Sequence, residues 1–212
     1  MASGGLFTQS DLVTIGRAAL VAEQLTVDYF DLPGDEWRRN RYGVFTRKVA
    51  GDFLYVDDVF AHLIRFKTVK SRSKDEQGKE ESLGILLQDP NILRALLRSR
   101  MHDLWTLALF VLTHELVHIV RFRTFQVDLF TPETDRQGEE DLVHEITGEI
   151  LSGVANMDSL LQMYEAGKPR TTPVLKISSG RNINADLRIS VPEVRPRIRA
   201  MAEDHRSINR PM

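Results

Sequence analysis

The 17 residues from Leu104 to Val120 form an almost wholly apolar run, yet it contains His114, Glu115 and His118. A membrane-spanning helix needs about 20 mostly apolar residues, and three ionisable groups inside so short a run argue against a span. The run therefore reads as the central helix of a folded domain, buried on all sides. That reading demands a use for the polar groups. Burying two imidazoles and a carboxylate without partners costs several kcal/mol, so they must meet each other, a third group or an ion.

Composition narrows what that use can be. The chain has no cysteine, which removes disulfides, thiolate catalysis, cysteine-rich zinc fingers and iron–sulfur clusters. Any metal must be held by histidines and carboxylates. With 28 basic and 30 acidic side chains the net charge is −2, so no overall field draws the chain to nucleic acid or to an anionic membrane. Asp11, Arg17 and Glu23 interrupt the first thirty residues where a secretory signal would need an unbroken apolar stretch, and a cytoplasmic protein is expected. At 212 residues, a chain buries roughly 70% of its unfolded surface and needs no covalent staples.

Along the chain, Leu12, Ile15, Ala18, Ala19 and Ala22 recur at helical spacing behind Ser10 and Asp11, which are cap candidates. This helix should end before Asp31-Leu32-Pro33-Gly34. Val44 to Asp57 reads as a hairpin turning at Gly51-Asp52. The periodicity of Phe60 to Lys67 fits helix and strand alike. Residues 70–82 contain no apolar side chain and read as a solvated loop. Leu83 to Gln88 is a short strand, and Asp89-Pro90 opens a helix carrying Ile92, Leu93, Leu96 and Leu97. After the greasy helix, placed at Asp103 to Arg123, the stretch Arg121 to Gly138 reads as a connection. A further helix from Glu139 to Tyr164 aligns Leu142, Val143, Ile146, Ile150 and Val154. Residues 170–212 carry a surplus of five positive charges and four prolines, the signature of an extended arm that packs on its own domain or on a partner. The expected organisation is a domain over residues 1–167 followed by a basic arm over 168–212.

His114-Glu115-Leu116-Val117-His118 is an H-E-x-x-H pattern with uncharged neighbours. Imidazoles four residues apart project from one side of a helix, so both can reach one ion at about 2.0–2.1 Å. Glu115 stands about 100° round the helix from His114 and can address a water on that ion. By residue frequencies the pattern arises by accident in about one chain of this length in a hundred. An ordinary pair of satisfied core histidines is the bland alternative.

In these residues the chain resembles the zincin metallopeptidases, whose signature is this pentapeptide on a buried helix. The resemblance implies a Zn2+ ion on His114 and His118, with Glu115 as catalytic general base. The metzincin branch would need Gly at 121 and His at 124, where Arg121 and Thr124 stand. The gluzincin branch takes its third ligand from a later helix, which points to Glu139–Tyr164. Three residues compete there: His144, slightly favoured, Glu145 as the close alternative, and Glu140, with His144 behind it. A donor to the developing oxyanion is expected from His102, Arg121, Arg123 or Tyr164, and the strand Leu83–Gln88 offers an edge to an extended peptide.

These readings converge on an α+β fold: a mostly helical, zincin-like domain with a small antiparallel sheet and an irregular C-terminal arm. The expected function is zinc-dependent hydrolysis of peptide bonds in a peptide or protein substrate, with no membrane or nucleic-acid partner. The alternative is a non-catalytic metal-containing binding or assembly protein that docks a protein partner through its basic arm. A di-iron helical bundle fits poorly, because Glu115-Leu-Val-His118 is the only Glu-x-x-His on these helices where two are needed.

Overall fold

The structure, a computed structural model, describes residues 5–34, 37, 42–47, 55–69, 79–98, 103–124 and 133–166. The expected arm over 168–212 and its boundary lie outside these residues, as do His102 and His205. What is described is a mostly helical α+β arrangement with one small sheet.

Helix α1 spans Gln9–Tyr29. Its cap is Thr8 rather than Ser10 or Asp11. The Thr8 amide donates to the Asp11 carboxylate at 2.8 Å, and the Asp11 amide donates to the Thr8 hydroxyl oxygen at 3.2 Å. This reciprocal pair satisfies donors that the first helical turn leaves open. The helix ends where the sequence placed its end, and Asp31 adopts a left-handed φ of 48°.

Three strands follow: β1 at Tyr42–Thr46, β2 at Ala61–Val69 and β3 at Lys79–Leu87. Their order is β1-β3-β2, with β3 antiparallel to β2 and parallel to β1. The small sheet is therefore mixed, not antiparallel throughout. The hairpin turn expected at Gly51-Asp52 lies outside the described residues; before it β1 pairs with β3 (Tyr42 opposite Leu83), and after it Tyr55 and Val56 lie in no strand. The Leu83–Leu87 half of β3 is buried on both faces, as suits a central strand. Ile85 and Leu87 enter the main core, while Leu86 is buried on the opposite face. Gly84 permits the packing there, since a Cβ would come within 2.5 Å of the Phe45 ring. Residues 79–82, expected in a loop, extend β3 because Lys79 pairs opposite Val69. Both edges of β3 are occupied, so Leu83–Gln88 offers no edge to a peptide.

Helix α2 covers Asp89–Arg98, α3 Leu104–Thr124, α4 Glu133–Leu151 and α5 Asp158–Ala166. The helix expected to run unbroken from Glu139 to Tyr164 is divided between α4 and α5 by a turn in which Asn156 has a φ of 67°. The turn returns Met157 and Leu160 to the core, where both are fully buried. By length and composition α3 is apolar enough to cross a membrane. Among the described residues every position from Thr106 to Val120 is buried, with α1, α4 and the sheet packed around the helix. Small residues on α1, Ala18 and Ala22, suit close packing against it.

A buried polar node ties the start of α2 to its surroundings. Asp89, fully buried, accepts from the backbone amides of Phe7 at 3.2 Å and Arg47 at 2.9 Å. Asn91 donates to the carbonyls of Val56 at 2.8 Å and Val59 at 2.7 Å. Removing the Asp89 carboxylate strands two buried N–H donors, each costing about 1–3 kcal/mol. Asp89→Ala is expected to lower unfolding free energy by about 3 kcal/mol, read as an earlier urea midpoint at unchanged slope.

Candidate metal centre

His114 and His118 lie one turn apart on the most buried stretch of α3, at 6% and 5% exposure. Opposite them α4 presents Glu140, itself 6% exposed. Its two carboxylate oxygens sit 3.5 Å from His114 Nε2 and 3.3 Å from His118 Nε2. Among the described residues these three are the group whose ligand atoms lie within 4.8 Å of one another.

The spacing carries chemical information. A charge-assisted N–H···O bond closes to about 2.7–2.9 Å. Two donors bound tetrahedrally at 2.0–2.1 Å to one ion stand about 3.3 Å apart. The observed contacts, made by different oxygens of Glu140, are long hydrogen bonds, and the three ligand atoms lie within 4.8 Å of one another, a cluster wide enough to admit an ion. The donor set, two imidazole nitrogens and a carboxylate, suits a divalent transition-metal ion such as zinc or iron(II).

Of the residues that the sequence set in competition, Glu140 is the one that faces both imidazoles. His144 stands one turn further along α4, with its ring centroid 4.6 Å from that of His114, but outside the three-residue group. Glu145 is exposed on the far side of α4, and its charge acts on Tyr29 of α1, whose hydroxyl donates to Glu149. Along α4, Glu140, Val143, Thr147 and Leu151 follow helical spacing, and all four are buried. Leu142, placed on the apolar stripe by the sequence reading, is 37% exposed. The stripe is rotated from where the sequence reading put it.

Arg121, one of the candidate oxyanion donors, reaches across to α4. Its guanidinium grips Glu139 with two bonds of 2.6 and 2.7 Å. That ion pair joins α3 to α4 immediately before Glu140. Arg123 is half-buried, and the Tyr164 side chain lies outside the described part of the structure.

The electrostatics of the group follow from its burial. Burial acts to raise the Glu140 pKa, but hydrogen bonds from His114 and His118 outweigh it and keep the carboxyl far below its ordinary range. Burial pushes His114 down to about 4, against the pull of Glu140. At His118 burial also pushes down, yet Glu140, with Glu115 and Glu139, outweighs it and the net shift is upward. Glu115, 4% exposed, is driven up to about 7 chiefly by burial. It lies outside the ligand group.

A pH dependence of the metal-free protein follows. Glu115 holds its proton up to about pH 7 when folded but releases it near its ordinary 4.5 when unfolded. The stability that Glu115 contributes is thus greatest below that lower value and falls as pH rises through the window between them. His62, 2% exposed and held at about 4 by burial, acts oppositely and removes stability as pH falls from about 6.5. Thermal midpoints of Glu115→Gln should lose the first slope and keep the second.

Comparisons with family models, with curated proteins and with solved structures return no match. The functional reading therefore rests on the chemistry of this centre.

Proposed function

We propose that this chain is a zinc-dependent metallopeptidase of gluzincin-like type, hydrolysing peptide bonds with His114, His118 and Glu140 as metal ligands. One observation carries the reading: a separate helix brings one buried carboxylate within 3.5 Å of both imidazoles of the H-E-x-x-H turn. A zinc ion in such a site lowers the pKa of bound water to about 7 and polarises a carbonyl oxygen.

The protein's own groups supply the rest. Glu115, held near neutrality by burial, takes the proton from the attacking water. It then passes that proton to the nitrogen of the departing amine, so the carboxylate is regenerated. Ionised Glu140 balances positive charge beside the imidazoles. His144, with its ring against His114, is assigned as donor to the carbonyl oxygen. The decisive experiment is to purify the full chain, measure bound metal, and follow cleavage of a peptide library before and after chelation. One equivalent of zinc with chelator-sensitive cleavage is expected, and zinc-free cleavage would overturn the assignment.

A further inference from the structure

Metal-binding imidazoles almost always donate their second ring N–H to an acceptor, which fixes the plane of the ring. His114 and His118 do not: the Nδ1 atom of each is buried with no hydrogen-bond partner. Their planes are nevertheless set perpendicular to each other, with an interplanar angle of 81° and centroids 4.8 Å apart. Parallel aromatic rings flank the pair. Phe110 stacks on His114 at 6.4 Å and 24°, and Phe122 stacks on His118 at 5.6 Å and 16°. Phe110, His114, His118 and Phe122 recur every fourth residue, so the four rings form one ladder along α3.

We propose that Phe110 and Phe122 are positioning residues for the metal ligands, fixing the imidazole planes by stacking where hydrogen-bond acceptors would ordinarily do so. This rests on the metal centre proposed above. Offset stacking at these centroid distances lies within the range where aromatic pairs attract. The centre then has a distinct character. Nδ1–H groups without acceptors make less basic ligands, so the ion is held less tightly than in a site with carboxylate-backed histidines and exchanges more readily.

Phe122 offers the cleaner test. Phe110 belongs to the main core, whereas Phe122 is half-buried and stands outside it. Phe122→Met keeps the apolar volume and removes the ring face, and Phe122→Tyr keeps the face. The full-length wild type and both variants are titrated with Co2+ against a chromophoric chelator, while the visible d–d bands report ligand geometry. Phe122→Met is expected to bind about tenfold more weakly, the lower end of the loss seen for outer-sphere partners, with altered bands, and Phe122→Tyr to match the wild type. Unchanged affinity and bands in Phe122→Met overturn the inference while leaving the metal centre standing. Equal losses in both variants overturn it as well, since a ring face would then have no special part. Phe122→Leu repeats the comparison with a smaller side chain should the Met variant fold poorly. A wild type that takes up no Co2+ removes the metal centre itself, and this inference with it.

Discussion

Glu115→Gln should leave the protein folded and loaded with one equivalent of zinc, yet reduce peptide cleavage by about 10²–10⁴-fold, the range that general acid–base catalysis contributes. The two halves of that result come from separate features of the site. Glu115 is outside the ligand group, so an amide in its place does not disturb the ion. The same amide cannot accept the proton that the carboxylate, poised at about 7, takes from water. Because burial disfavours the charged carboxylate, the variant should also be the more stable protein at neutral pH, read as a higher thermal midpoint without metal. Cleavage that survives the substitution would remove Glu115 from the mechanism. Loss of metal together with activity would place it among the ligands instead.

Glu140→Gln has the opposite pattern. It is expected to weaken zinc binding by more than the roughly 10–100-fold that a lost outer-sphere partner costs, because it removes a direct ligand. Glu145→Gln, on the exposed side of α4, should leave binding unchanged, and His144→Ala should keep the metal while slowing cleavage. Equilibrium dialysis with metal analysis separates the three. Circular dichroism is needed alongside, since Glu140→Gln also takes the anionic partner from two buried imidazoles and destabilises the metal-free fold by about 1–3 kcal/mol. If His144→Ala lost zinc and Glu140→Gln kept it, the third ligand would be the one that the sequence reading favoured.

The elements that the sequence located well are those whose signal is local. Helix α1 shows its period in Leu12, Ile15, Ala18 and Ala22, and α3 shows itself by sheer apolarity; both occur where expected. The elements it misplaced depend on distant partners. The polar residues 79–82 have little reason to be a strand until Lys79 meets Val69. Val44–Thr46 has a turn signal after it, yet it pairs parallel with a strand some forty residues later.

The centre divides in the same way. Composition and spacing by themselves determined that metal chemistry, if present, uses histidine and carboxylate, and that His114, Glu115 and His118 share one turn-and-a-bit of a buried helix, because absent cysteines and a 3.6-residue repeat are properties of the chain alone. Which of the candidates faces the two imidazoles was decided only in three dimensions. Glu140, His144 and Glu145 lie within six residues of one helix, and rotating that helix by a fraction of a turn exchanges them. The rotation is set by Val143, Ile146, Thr147 and Leu151 settling against neighbouring elements, together with the Arg121–Glu139 ion pair between α3 and α4. Packing of that kind is a property of two surfaces meeting, and it becomes definite only when both are present.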